Sequence, residues 1–350
     1  MWADAVVVGV KLAFVLAVML TSVPIMVWVE RRGSALIQDR LGPNRVGPFG
    51  LLQPVIDVVK LMTKEHIKPE GVHTLLYLLA PGIAIAISLS TFIAVPFGKD
   101  SGLAVFGYPV DGFIVAPHLN VGVLYIFAIS SLAVYSVVLA GWASNNKFSL
   151  FGGVRASAQA ISYELAMTIA VVGVLMSSGS LQLQDIVDSQ TGTWLGSLPR
   201  WNVFPQLLGA ITFTVAVFAE TNRLPFDLPE AEAELVAGYH TEYSSMGFAA
   251  FYMSEYLHMI VAASLGTVLF FGGWNLPWVD IPFDGWAGAL LSMAVFATKV
   301  SFFLWFFVWV RWTLPRFRYD QLMALGWKVM IPLATVNFIW VAVGMALGYF

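Results

Sequence analysis

Six carboxylates crowd into the stretch AETNRLPFDLPEAEAELVAGYHTEYSS at 219–245: Glu220, Asp227, Glu230, Glu232, Glu234 and Glu242, against the single arginine Arg223. Carboxylates this close in a low-dielectric site cannot all ionise, because each charge disfavours the next and desolvation acts in the same direction. They titrate as a coupled unit, so one added charge nearby moves protons through them. The chemistry on offer is the storage and passage of protons. The plainer reading is a solvated acidic loop, the usual fate of a charge run. Against it, the acids are interleaved with Leu224, Phe226, Leu228, Leu235 and Val236, and two more, Glu164 and Glu255, lie inside apolar runs. An ionisable group within a membrane span is costly and marks a pathway by default. At helical spacing Asp227, Glu230 and Glu234 share a face, with Glu232 pointing away. Pro225 and Pro229 break any helix running on from before, and Pro229 suits the first turn of a short helix near 229–237.

The elements that must hold these acids are membrane helices. The 350 residues are 59% hydrophobic and 11% charged, with a mean hydropathy of +0.79, whereas a soluble domain is roughly a quarter charged. Apolar runs of about 20 residues, enough to cross a hydrocarbon core about 30 Å thick, recur along the whole chain. Eight spans are expected, near 6–29, 74–96, 118–142, 160–178, 203–219, 247–271, 287–310 and 328–349. Continuous rather than alternating runs make them helices, so the fold class is an all-α integral membrane protein. Residues 1–350 form a single transmembrane domain, with a first inner loop at 30–73 and the acidic loop at 220–246. Most lysines and arginines fall in the loops after spans 1, 3, 5 and 7, which places those loops on the cytoplasmic or matrix side and both termini outside.

The chain has no cysteine, so a disulfide or a cysteine-ligated iron–sulfur cluster is out of reach. The five histidines are scattered, with only His258 well inside a span, and no metal-ligand, dinucleotide-binding or P-loop pattern occurs. Nothing points to nucleic acid. Any redox chemistry this protein serves has its electrons in a partner. Sequence repeats between the two halves, common in secondary transporters, are not visible either.

In the first inner loop, GPNRVGPFG forces turns that fold the chain back at the membrane surface. After it, Gln53, Asp57, Lys60 and Lys64 recur at helical spacing, with Leu51, Leu52, Val55, Val59 and Met62 on other sides. This is an amphipathic helix lying in the interface plane. It serves either as a surface anchor or as one wall of a portal for a lipid-soluble molecule.

Four segments carry a resemblance to a known family: ERR with QDRLGPNRVGPFGLLQPVIDVVKLMTKE, GWASNNKFSLFGGVRASAQAISYEL at 141–165, the acidic stretch, and RWTLPRFRYDQLMALGWK at 311–328. In order and spacing they resemble the membrane subunit of respiratory complex I, NADH-quinone oxidoreductase, that borders the quinone site. In bacteria this is the H subunit, and it has a mitochondrial counterpart. The resemblance implies quinone as substrate, with iron–sulfur clusters and flavin confined to partner subunits. It implies peripheral iron–sulfur and quinone-site subunits on the cytoplasmic side, and small membrane and antiporter-like subunits laterally among the lipids. It implies a bacterial cytoplasmic membrane, or a mitochondrial inner membrane for an organellar chain.

Carried over by motif, the resemblance makes Glu30, Glu164, Glu220, Asp227, Glu230, Glu232, Glu234, Glu242 and Glu255 candidates for coupling or proton relay. Arg31, Gln38, Arg40, Asp57, Phe226 and Arg311 become candidates for the quinone cavity, Arg31 and Asp57 foremost. Some bacterial relatives have a Glu in span 3 where this chain has Ala133. Lys299, buried in span 7, is either a relay group or half of a structural pair with Glu255. His258 reads as a packing histidine and Asn337 as a helix-to-helix hydrogen bond. Two other function classes stay open: the same subunit in a related complex with another electron donor, and a stand-alone ion-coupled transporter.

Overall fold

The structure is a computed structural model describing residues 2–99, 104–105, 108–109, 114–116, 119–194, 198–229, 232–278 and 285–348. It is all-α apart from two minute hairpins, Ala104–Val105 with Tyr108–Pro109 and Thr193–Trp194 with Leu198–Pro199. The long apolar helices are α1 (Trp2–Ile37), α3 (Thr74–Thr91), α6 (Lys147–Ser178), α10 (Ser245–Phe270) and α11 (Gly285–Thr313). Two further spans are bent: α4 (Gly122–Ser131) runs into α5 (Ala133–Ala143), and α12 (Tyr319–Leu325) into α13 (Ile331–Ala346). The α12–α13 joint is a π-turn, Gly326–Met330. Pro332 supplies no N–H for the carbonyl of Lys328, and the wider turn absorbs that missing bond.

Seven of the eight expected spans are long and apolar enough to cross a membrane. The fifth, α8 (Leu207–Glu220), has 14 residues, about 21 Å at 1.5 Å per residue, short of a full hydrocarbon core. Two expected boundaries shift. Helix α1 continues to Ile37, so Glu30 and Arg31 lie on a helix and not in the first inner loop. No Gly or Pro interrupts the chain between Pro24 and Gly33, and the ordered turns begin only after it. Helix α6 starts at Lys147 instead of near 160, capped by the Asn146 side chain accepting from the Phe148 N–H at 2.9 Å.

Helix α10 is the hub: 78% of its apolar window is buried, against 22% for α1 and for α11. Around it pack Val23 and Met26 of α1, Phe213 and Val217 of α8, and Phe307 and Val308 of α11. The outward faces of the other helices stay apolar, as lipid requires, with Leu20, Ile25, Leu124, Ile161, Phe302 and Trp305 exposed. Where α6 meets the acidic loop, a Cβ on Gly152 would lie 2.7 Å from the Tyr239 nitrogen. Only glycine admits so close an approach.

The amphipathic helix after the first turns is α2 (Gln53–Thr63). It is fastened to the start of α10, where the Ser245 hydroxyl donates to the carbonyls of Leu61 and Lys64, both at 2.9 Å. The fold-back before α2 depends on Gly50, at φ +76°, whose missing Cβ would sit 2.3 Å from the Pro43 carbonyl oxygen. Arg32 and the Trp28 indole both donate to the Phe49 carbonyl, at 2.8 and 3.1 Å.

Candidate functional site

Helices α1, α2, α10 and α11 enclose a cavity of about 760 Å³. Its walls are mostly apolar, with Val23, Pro24, Val55, Val59, Phe248 and Met253 among them. Its polar groups are few. Arg31 of α1 pairs with Asp57 of α2, and Gln53 also donates to Asp57 at 3.2 Å. From the preceding position on α1, the buried Glu30 carboxylate accepts from the Tyr256 hydroxyl and from Arg311. Arg223 approaches the same carboxylate at 3.4 Å and lies over the Tyr256 ring, 4.4 Å from its centroid. A carboxylate this buried is tolerated because guanidinium and phenol donors satisfy it.

Of the residues expected around a quinone cavity, Arg31, Arg40, Asp57 and Arg311 line this one, and Glu30 joins them. Gln38 is exposed and accepts from Arg40 at 2.7 Å, behind the wall. Phe226 lies elsewhere: it is buried edge-on against Tyr163 and tilted against Phe317, each at 5.4 Å between centroids. Tyr256 went unnoticed in the sequence. The signal was there, since it follows Glu255 and a helix turns about 100° per residue, so the two adjacent side chains serve different walls.

Glu255 faces a second, smaller cavity of about 60 Å³, which it shares with Glu164 of α6, Glu220 at the end of α8, and His258. Tyr239 donates to Glu255 at 2.9 Å. An adjoining void of about 20 Å³ is also bordered by Glu220, His258, Ser130 and Thr221. A water needs roughly 10–15 Å³ of such space and two to four polar partners, so the 60 Å³ chamber has room for several. Ala133, the position where a span-3 acid would stand, lines it with a methyl group.

The acidic stretch divides. Glu220 turns inward to the small chamber, and the rest of the described acids cross-link the loop to its neighbours. Asp227 pairs with Arg316 at 2.7 Å, Glu234 with Arg155 at 2.6 Å, and Glu242 accepts from Asn146 at 2.6 Å. Gln159 of α6 donates to the carbonyls of Ala219 and Phe226, at 2.7 and 2.8 Å, closing the turn after α8. Asp227 precedes the helical turn α9 (Glu232–Leu235), so it and Glu234 do not share a helix face. Among the described residues, the short helix expected over 229–237 is this single turn. Glu230 and the side chain of Glu232 lie outside the described residues.

Lys299 does not pair with Glu255. Its ammonium donates to the carbonyls of Phe271, Gly273 and Asn275, at 2.7, 2.9 and 2.6 Å, and sits over the Trp201 ring. It caps the C-terminal end of α10, where a cation meets the helix dipole favourably. Asn337 makes no helix-to-helix bond through its amide nitrogen, which is buried without a partner among the described residues. It is wedged against Gly173 and Gly209.

Residues 10–342 match the family described as NADH dehydrogenase. The chain is 45% identical to the H subunit of NADH-quinone oxidoreductase from Bdellovibrio bacteriovorus, over 94% of this chain and 93% of that one. It is 49% identical to the first H subunit of the same enzyme from Geobacter metallireducens, over 93% of each chain. It is 46% identical to NADH-quinone oxidoreductase subunit 8 of Rhodothermus marinus, over 94% of each. The chain belongs to the NADH dehydrogenase family. Both cavities of this NADH dehydrogenase family member lie within the matched residues, with α10 forming part of the wall of each.

Proposed function

We propose that this chain is the quinone-site and coupling subunit of a proton-pumping NADH-quinone oxidoreductase. The observation that carries the reading is the placement of Tyr256 and Glu255 side by side on α10, one bordering the large apolar cavity and the other the small acidic one. A volume near 760 Å³ falls within the usual range of small-molecule sites, roughly 300–1,000 Å³. Its apolar walls suit an isoprenoid tail, and the Arg31–Asp57 and Glu30–Arg311–Tyr256 groups suit the polar head of a quinone.

The chain carries no redox centre of its own. Electrons arrive through iron–sulfur clusters of peripheral subunits docked on the cytoplasmic face. Reduction of a quinone to a quinol takes two electrons and two protons, and drawing those protons from groups that line the cavity leaves negative charge beside Glu30 and Arg311. Glu164, Glu220 and Glu255 answer by exchanging protons through the waters of the small chamber, passing the change toward antiporter-like neighbours in the membrane arm. Asp227, Glu234 and Glu242 hold the loop that positions Glu220. The setting is a bacterial cytoplasmic membrane. The names of the relatives favour NADH as the donor over another reduced cofactor.

The test is to tag this subunit in its native membrane, purify it in mild detergent, and assay rotenone- or piericidin-sensitive NADH-to-quinone electron transfer. Co-purifying activity and iron–sulfur signals support the reading. A chain that elutes alone, without redox activity but with its own ion transport in liposomes, is a stand-alone transporter instead.

A further inference from the structure

The carboxylates of the small chamber share it with a side chain for which the sequence suggested only packing. His258 lies on α10 three residues after Glu255, which puts the two on the same helix face. It borders both the 60 Å³ chamber and the adjoining 20 Å³ void, and Glu220 is the acid common to the two. Its Nε2 is buried with no hydrogen-bond partner among the described residues. A buried polar atom left unbonded costs free energy, so a structural histidine would have found a partner. What this one faces is water-sized space, mostly apolar in its walls, into which Glu164, Glu220 and Glu255 also project.

We propose that His258 is a proton-carrying residue of this chamber, exchanging protons with Glu220 and Glu255 through the waters between them. A neutral imidazole has one N–H donor and one acceptor nitrogen, so it takes a proton on one side and releases one on the other. Carboxylates alone repel as they ionise. A base among them stores the proton that one acid releases, as an imidazolium beside a carboxylate, with no net change of charge. Helix α5 contributes no titratable group to the chamber among the described residues, since Ala133 and Val134 line it there. The titratable side chains facing His258 across the chamber are Glu164, Glu220 and Tyr239, with Glu255 on its own helix.

This inference rests on the coupling-subunit reading, and the experiment separates the two. His258→Gln and His258→Leu are made in the chromosomal copy, and the whole complex is purified and reconstituted into liposomes. Proton translocation driven by NADH and a short-chain quinone is measured from about pH 5 to about pH 9, a range that brackets imidazole titration. Glutamine hydrogen-bonds to water but does not titrate. The expected result is at least a fivefold loss of translocation in both variants, with the pH profile of the glutamine variant differing in shape from that of the wild type. A glutamine variant retaining more than a fifth of the wild-type rate overturns the proposal, because titration is then dispensable. Failure of both variants to assemble also overturns it and assigns His258 to packing. If the wild-type complex itself does not pump, or Glu220→Gln pumps normally, the coupling reading fails independently of His258.

Discussion

Replacing Glu30 with Gln tests the central electrostatic argument, because it neutralises a buried carboxylate that meets two guanidinium groups, those of Arg223 and Arg311. The Arg223 and Glu30 side chains are only 8% and 9% exposed, and they approach to 3.4 Å. At an effective dielectric of about 20, charges at that separation attract by about 5 kcal/mol. Removing one partner of a buried pair typically costs about 3–5 kcal/mol. The substitution keeps the shape and takes away only the charge, so a loss of about 3–5 kcal/mol is expected. Arg311 is more exposed, at 28%, and can turn toward the large cavity. The assay is detergent-titrated unfolding in mixed micelles, followed by fluorescence of the 13 tryptophans. A companion variant, Glu30→Leu with Arg223→Met, removes both charges and is expected to recover at least about 2 kcal/mol, since apolar replacement of a buried pair is often neutral or better. A cost below about 1 kcal/mol for Glu30→Gln, the scale of an exposed pair, refutes the reasoning and means that water reaches this carboxylate freely.

Three further outcomes follow from the same structure. Asp57→Asn breaks an ion pair whose side chains are 45% and 30% exposed, so stability changes by no more than about 1 kcal/mol. Its KM for quinone is expected to rise about tenfold, the equivalent of one charge-assisted bond from Arg31, which Asp57 positions, to a head-group carbonyl; an unchanged KM removes Asp57 from the site. Lys299→Met deletes the three-carbonyl cap of α10 and is expected to cost about 2–4 kcal/mol in the same unfolding assay without altering protons moved per electron pair. A lowered ratio would make the lysine a relay group after all. Asp188, in helix α7 (Leu183–Ser189), is pushed above its ordinary value by burial and by Asp185, while Lys99 pulls it down. Its native state therefore holds the proton more tightly, and its contribution is most favourable below about pH 3.9 and lost as pH rises through the raised value. Asp188→Asn should accordingly raise the melting temperature at neutral pH and lose that advantage in acid; a lower melting temperature at neutral pH contradicts the assignment.

The fold class and the order of the helices are legible from composition alone, because a bilayer demands long apolar runs, and even the short α8 stands out as one. Turn residues such as Gly50 and the amphipathic spacing of α2 were equally local, and so were legible. The types of residue able to carry protons were visible too, since an acid in an apolar run is costly wherever the helix packs. What only the tertiary structure decided was who meets whom. Glu255 and Tyr256 are neighbours in the chain yet border different cavities, a separation that depends on which helices flank α10. Asp227, Glu234 and Glu242 look like members of one acidic cluster with Glu220. Arg316, Arg155 and Asn146 reach them from segments about 70 to 100 residues away and turn them into cross-links. Lys299 found backbone carbonyls and not a carboxylate, because a helix end offers oxygen acceptors that no side-chain pattern records. His258, unremarkable in its span, borders the same small chamber as Glu164, Glu220 and Glu255 only because packing leaves a void beside that face of α10.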